Sequence, residues 1–213
     1  AQLRSGPAWG RLATVLMHAQ FHAEAGLAFR QAERFSPRDA QWPYLHGLML
    51  REARPEAALA CLEVARRIGR DVPDAPRLRL AQLMLERGQL VEAENHFQTL
   101  LGRQPSHAPA QLGLARIRLA QDRVSDSADL LVRCAEDPHV ARSAQALLAQ
   151  VRRRQGDRAG AEAAARKAAG LPPDRPWPDP YWSEALRLRV GLTVTEMLKA
   201  GERGEVRGLF VLG

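Results

Sequence analysis

The stretch Leu80–Pro105, LAQLMLERGQLVEAENHFQTLLGRQP, decides the fold. Apolar or small residues stand at Leu80, Ala81 and Met84, and the pattern breaks at Gly88. A second set follows at Ala93, Phe97 and Leu100, and Pro105 stops it. Spacings of three and four residues put each set on one face of an α-helix. Glycine readily turns the chain at a helix end, and proline cannot continue a helix interior. The stretch therefore predicts two antiparallel helices joined by a tight turn.

The same pattern recurs on both sides. Upstream, Pro7–Pro37 carries Trp9, Leu12, Ala13 and Leu16 on one face of a first helix, then Ala25, Phe29 and Ala32 on a second, with Pro37 as the stop. That spacing, W-x2-L-A-x2-L followed by A-x3-F-x2-A and P, resembles the tetratricopeptide repeat. Ala13 and Leu16 stand where the family usually has Gly and Tyr. A second copy has Trp42, Leu45, His46 and Met49, then Ala58, Leu62 and Ala65. The fourth has Leu114 and Ala115, then Ser127, Leu131, Cys134 and Pro138. The fifth has Leu148, Ala149, the turn Gly156-Asp157, and Ala161, Ala165, Ala168 and Pro173. From Ala25 through Ala58, Ala93 and Ser127 to Ala161 the intervals are 33, 35, 34 and 34 residues.

The expected fold is all-α, and the resemblance makes it a right-handed α-α superhelix of about five helical hairpins with a partial or degenerate sixth. Residues 1–213 are expected to form a single solenoid with repeats near 6–38, 39–73, 74–107, 108–140 and 141–173. A Pro/aromatic connection follows at 171–182, in which Trp177, Tyr181 and Trp182 either fold back onto the fifth repeat or dock a partner. A degenerate or truncated repeat at 183–213 aligns Met197, Gly201 and Val206 with the pattern. The missing initiating Met and the apolar ending GLFVLG leave open that the native chain extends at both ends.

The physical logic of the pattern is close approach. Paired helices come together only where side chains are small, which makes residues 25, 58, 93, 127 and 161 the crossing points. Trp9, Phe29, Trp42 and Phe97 fill the space between hairpins. A lone hairpin exposes an apolar face that stacking buries.

Composition bounds the rest. Aromatics make up 5% of 213 residues, and Ala, Leu and Arg, all strong helix formers, dominate. No run of about 18 apolar residues would span a membrane. The N-terminus has no secretory signal pattern, so the compartment stays open between cytoplasm and periplasm, the latter if the N-terminus was processed. The net charge is +7, yet lysine occurs only at 167 and 199, a skew that a GC-rich genome produces without any polyanionic partner. From Ala141 to Ala169 six arginines and one lysine face Asp157 and Glu162, a net of +5. Arg152, Arg153 and Arg154 are consecutive and diverge by about 100° each on a helix, so a solvated basic face competes with a docking site.

No catalytic constellation is present: there is no phosphate-binding loop, dinucleotide fingerprint, HExxH, CxxC or nucleophile elbow. The chain is read as non-enzymatic, with no cofactor and no metal assigned. His18 and His22 are four apart but have only Glu24 as an added ligand, so they read as surface histidines. His46 takes the place of the small residue at a crossing and reads as a satisfied core imidazole. Cys61 and Cys134 read as buried free thiols.

The resemblance implies a concave groove lined by the first helices, where peptides or partner helices bind. Its positions fall on Gly10, Thr14, Met17 and His18, and on Pro43, Gly47, Leu50 and Arg51. They continue at Leu78, Gln82, Leu85 and Glu86, at Leu112, Arg116 and Leu119, and at Ala146, Gln150, Arg153 and Arg154. The Lys/Asn clamp of the co-chaperone members is absent from these positions, so chaperone-tail binding is not expected. The function so implied is a protein-protein interaction scaffold, similar to the general bacterial members of the family. Its partner is a protein or peptide, and an acidic one would meet Arg116, Arg153 and Arg154. A basic superhelix binding single-stranded nucleic acid, or an accessory domain of a larger protein, is the alternative. Partner identity and oligomeric state are not legible.

If Ala58 and Ala93 are crossing points, Ala58→Leu and Ala93→Leu overpack them. Each should lower stability by about 1–3 kcal/mol, and thermal melts matching the parent would show that the register is misplaced.

Overall fold

The computed structural model describes residues 5–69 and 74–171 of the chain. Among these residues there are ten α-helices and no strand. In order they are α1 (Gly6–His18), α2 (His22–Phe35), α3 (Gln41–Leu50), α4 (Pro55–Ile68), α5 (Ala75–Glu86), α6 (Leu90–Arg103), α7 (Ala108–Ala120), α8 (Val124–Cys134), α9 (Ala141–Arg154) and α10 (Arg158–Ala168). Each odd helix packs against the even helix that follows it, and successive pairs stack in chain order. The result is an α-solenoid of five helical hairpins among the described residues.

Local chemistry sets the helix ends. The Ser5 hydroxyl accepts from the Ala8 N–H at 3.4 Å at the start of α1, and the Asp157 carboxylate accepts from the Gly160 N–H at 2.8 Å at the start of α10. Pro7, Pro55, Pro76 and Pro109 sit in the first turns of α1, α4, α5 and α7, where the missing N–H removes no helix bond. Within four hairpins the turn passes through a left-handed residue: Gln20 (φ 66°), Gly88 (75°), Asp122 (60°) and Gly156 (80°). These lie 34 or 68 residues apart. The second hairpin has no such residue in its turn, and Arg54 there has φ −141°.

The crossing residues are buried to the last few square ångströms. Ala25, Ala58, Ala93 and Ser127 have no exposed surface, and Ala161 has 2%. At Ser127 the hydroxyl donates to the Ala115 carbonyl at 2.9 Å, so the polar residue among these five second-helix positions is satisfied by its own hairpin's first helix. Between hairpins the contact is ring against backbone. A Cβ on Gly10 would lie 2.2 Å from the Trp42 ring, and one on Gly113 would lie 2.3 Å from the Phe97 ring. Gln111 takes the position that Trp9 and Trp42 hold earlier and donates to the Pro105 carbonyl at 2.8 Å, tying the fourth hairpin to the loop before it.

Three details depart from the sequence expectation. Leu12, equivalent to the buried Leu80 and Leu114, is 45% exposed, because α1 has no preceding hairpin among the described residues to cover it. In α10, Ala161 and Ala164 are buried, whereas Ala165 and Ala168, which the pattern selected, are half-buried, a methyl at 165 filling less of the layer than the Phe29 and Phe97 rings do at the equivalent place. Cys134 is buried, but Cys61 is only half-buried. Trp177, Tyr181, Trp182 and the sixth repeat at 183–213 lie outside the described residues.

Gly113 and Gly102 give a paired test, because both are helical but only Gly113 is crowded. Gly113→Ala should lose about 1–2 kcal/mol, as the clash with the Phe97 ring exceeds the gain of about 1 kcal/mol in helix propensity. Gly102→Ala, with nothing within 4 Å, should gain about 0.4–1 kcal/mol. Chemical denaturation of the two variants reads both signs.

Candidate functional site

The first helices α1, α3, α5, α7 and α9 carry the positions that the resemblance selects. The structure divides those positions into two kinds. Gly47 is buried, and a Cβ there would lie 2.9 Å from Leu62 and 3.2 Å from the Ala58 carbonyl, so it serves the approach of α3 to α4. Leu112 is 8% exposed and belongs to the core shared by α7 to α10. Met17, Leu50, Leu78, Leu85 and Leu119 are half-buried and pack against the cores between hairpins, keeping part of each side chain outside. Thr14 is half-buried with its hydroxyl donating to the Gly10 carbonyl at 2.9 Å, and Gln82 accepts from Arg79 at 3.0 Å. Arg51, Arg116, Gln150, Arg153 and Arg154 are exposed.

Ion pairs remove part of this charge. Arg51 donates to Glu86 at 3.2 Å, so two groove positions of adjacent hairpins neutralise each other. Arg87 pairs with Glu56, again linking the second and third hairpins. Arg154 faces Asp122 at 3.9 Å across the fourth and fifth. Arg152 turns inward, donating to the Gly160 carbonyl at 3.0 Å. Among the described residues Arg116 and Arg153 make no ion pair. The positive potential of this strip is thus carried by two of its arginines, and the three consecutive arginines diverge as helix geometry requires.

The most enclosed pair across hairpins is Arg118–Glu94, at 2.6 Å, with side chains 12% and 18% exposed. Gln121 donates to the other Glu94 oxygen at 3.3 Å and accepts from Arg118 at 2.9 Å. The hydrogen bond from Arg118 holds the Glu94 carboxyl below its ordinary value; burial opposes this but does not prevail.

A second cluster was missed by the sequence reading. His46 of α3 is 5% exposed, and its Nδ1 lies 2.9 Å from Glu33 Oε1 of α2 and 3.8 Å from Cys61 Sγ of α4. The imidazole stacks on Phe29, ring centres 5.5 Å apart and planes at 20°. Burial opposes a charge on this ring, but the hydrogen bonds and negative charges of Cys61 and Glu33 outweigh it and push the His46 pKa up to about 9. Residues 13 before and 15 after a histidine form no recognisable motif; only the histidine at a crossing position signalled anything. Beside the cluster lies an open cleft of about 900 Å³ between α2 and α4, lined by Gly26, Leu27, Arg30, Met49, His46 and Cys61 among others. By contrast, His18 ends α1 and His22 begins α2, both exposed, with His22 bonded to Gln20 at 3.0 Å.

Of the rings on which nucleic acid would stack, among the described residues Phe29, Trp42 and Phe97 are buried, Trp9, Phe35 and Tyr44 are half-buried, and Phe21 is 56% exposed. No helix among those residues is long and apolar enough to cross a membrane.

Comparison with known proteins agrees with this geometry. A family model described as "Tetratricopeptide repeat" matches residues 84–151, from the end of α5 through most of α9. MamA residues 41-end from Desulfovibrio magneticus RS-1 superposes with a TM-score of 0.67 at 13% identity, over 78% of this chain and 94% of that one. YrrB, titled a TPR protein with an unusual peptide-binding site, gives 0.62 at 14%, over 80% and 88%. PilW, titled a widely conserved type IV pilus biogenesis factor, gives 0.63 at 18%, over 92% and 83%. No curated protein matches the sequence at a significant level. At these identities the likeness is one of fold.

Glu94 generates a pH prediction. Its folded pKa is depressed below 4.5, so its contribution is fully present above that value and is lost as pH falls through the folded pKa. Glu94→Gln should cost about 1–2 kcal/mol at neutral pH, and the cost should shrink as pH falls through the lowered folded pKa, as read by denaturant unfolding of parent and variant over a pH series from 7 downward.

Proposed function

From the premise that the chain is a tetratricopeptide repeat protein, we propose that it is a non-catalytic interaction scaffold that holds a peptide or partner segment along its first helices. The observation that carries the reading is the strip running from α5 to α9. Half-buried Leu78, Leu85 and Leu119 keep apolar surface on these first helices, and Arg116 and Arg153 of the same set are exposed and have no ion pair among the described residues. Apolar contact supplies affinity, while uncompensated cations select the sign of the partner. A peptide with apolar residues and one or two carboxylates is the complement of this strip. Glu86 is engaged by Arg51, so the acidic selection falls on the α7–α9 end.

YrrB, similar in fold, is titled as having a peptide-binding site, which supports a peptide as the class of ligand here. The nucleic-acid alternative has less support, because stacking platforms are what single-strand binding needs and the described rings are largely packed.

The test is a random peptide library panned against the chain, with retention on an oligonucleotide column run in parallel. Enriched peptides should share acidic and apolar positions, and Arg116→Glu with Arg153→Glu should weaken their binding by roughly tenfold or more, a loss of about 1.4 kcal/mol. Peptides that bind the doubly reversed variant as well as the parent would remove the groove assignment. Steeply salt-dependent oligonucleotide retention would replace it with the nucleic-acid reading.

A further inference from the structure

We propose that Glu33, His46 and Cys61 form a binding site for a Zn²⁺-type divalent cation, with a fourth coordination position open to the cleft between α2 and α4. This goes beyond the peptide-scaffold reading and does not depend on it.

The argument begins with the donor set. A carboxylate oxygen, an imidazole nitrogen and a thiol sulfur come from three different helices, and their ligand atoms all lie within 4.8 Å of one another. Borderline-soft ions of the zinc type accept this O, N, S mixture, whereas Mg²⁺ and Ca²⁺ select oxygens alone. With metal–ligand bonds of about 2.0–2.3 Å, tetrahedral ligand atoms sit about 3.4–3.6 Å apart. The observed separations from Nδ1, 2.9 Å to Glu33 and 3.8 Å to Cys61, bracket that range. Side-chain movements of about an ångström or less by Glu33 and Cys61, both half-buried, would reach it.

The central ligand is fixed in advance. His46 is enclosed and stacked on Phe29, so its ring plane and the direction of Nδ1 are set by packing before any ion arrives. Nδ1 faces both the carboxylate and the thiol, and a single N–H there serves one of them well. The sulfur at 3.8 Å is at the long end of hydrogen-bond range. A cation at the shared focus would instead bond all three. Charge also closes: the ion would displace the His46 ring proton and the Cys61 thiol proton to solvent, and ionised Glu33 and Cys61 with the neutral imidazole then cancel a divalent charge, so no net charge is enclosed beside Phe29.

Three protein ligands leave one tetrahedral position. His46 and Cys61 both line the cleft, so that position points toward solvent-accessible space with Gly26, Leu27 and Arg30 around it. An ion there would clamp α2 to α3 and α4, fixing the first hairpin to the second while leaving a coordination site for an incoming donor.

The experiment is titration of the chelator-treated full chain with Zn²⁺ by calorimetry and with Co²⁺ by absorption. One equivalent should bind, and Co²⁺ should give a thiolate-to-metal charge-transfer band together with tetrahedral ligand-field bands. Cys61→Ser should abolish the charge-transfer band and weaken Zn²⁺ binding by roughly a hundredfold, the upper end of what losing even a supporting hydrogen bond costs. Glu33→Gln should weaken binding by roughly tenfold or more, whereas Cys134→Ser and His22→Ala should leave it unchanged. Helix content by circular dichroism is compared in every variant. Should Cys61→Ser fail to fold, the decisive reading is the rise in melting temperature on adding Zn²⁺, present in the parent and clearly smaller in Glu33→Gln at the same Zn²⁺ concentration. Absence of one-equivalent binding would overturn the site. So would binding that survives both Cys61→Ser and Glu33→Gln, or binding lost in His22→Ala.

Discussion

At Ala25, Ala58, Ala93, Ser127 and Ala161 the second helix of each hairpin meets the first with almost nothing exposed, so no side chain longer than a methyl or hydroxyl fits. This approach sets the distance between paired helices, and that distance sets where the next hairpin can sit. The consequence is visible one layer out. Gly10 and Gly113 lie against the Trp42 and Phe97 rings so closely that any Cβ would collide. Small residues inside a hairpin and a ring between hairpins are two halves of one steric arrangement, and most of the packing energy follows from repeating it.

Repetition also decides where charge goes. A solenoid presents each hairpin's polar edge to its neighbour, so acids and bases on successive hairpins meet across the joint. Arg51–Glu86, Arg87–Glu56, Arg118–Glu94 and Arg154–Asp122 all arise this way. The exposed pairs contribute little to stability, and the enclosed Arg118–Glu94 pair contributes more. Their larger effect is on the surface field. Among the described residues ten arginines face an acidic partner, which trims the positive field that a net charge of +7 would otherwise spread over the surface.

The hairpins were legible because their signal is periodic: Gly88 and Gly156 mark turns, and Ala93, Phe97 and Leu100 mark a buried stripe that the structure encloses completely. Left-handed turns at Gln20 and Asp122 were not legible, since neither residue type announces a positive φ as glycine does. The apolar groove positions were harder still. Family register says which helix edge a residue is on, but whether Leu112 is enclosed while Leu119 is half-exposed depends on neighbouring side chains from other helices. Charge pairing was invisible for the same reason, because Arg51 and Glu86 are 35 residues apart and meet only through stacking.

The second hairpin concentrates the departures from the rule. The interval leading into it is 33 residues and the one leaving it is 35, and its turn has no left-handed residue. Its first helix holds His46 where the other first helices have the buried Ala13, Ala81, Ala115 and Ala149, opposite the crossing residue of the second helix. An imidazole at a crossing must be accommodated sterically, which Gly47 helps by letting α3 approach Leu62 and the Ala58 carbonyl. It must also be accommodated electrostatically, which requires a polar partner in an apolar setting. Glu33 and Cys61 supply that from the helices on either side. An alanine, as at Ala13, Ala81, Ala115 and Ala149, would have met the packing need without either partner. Sequences that break a local rule and assemble compensating groups around the break do so chiefly where a site is built, and in this solenoid the break and the ligand set coincide at one residue.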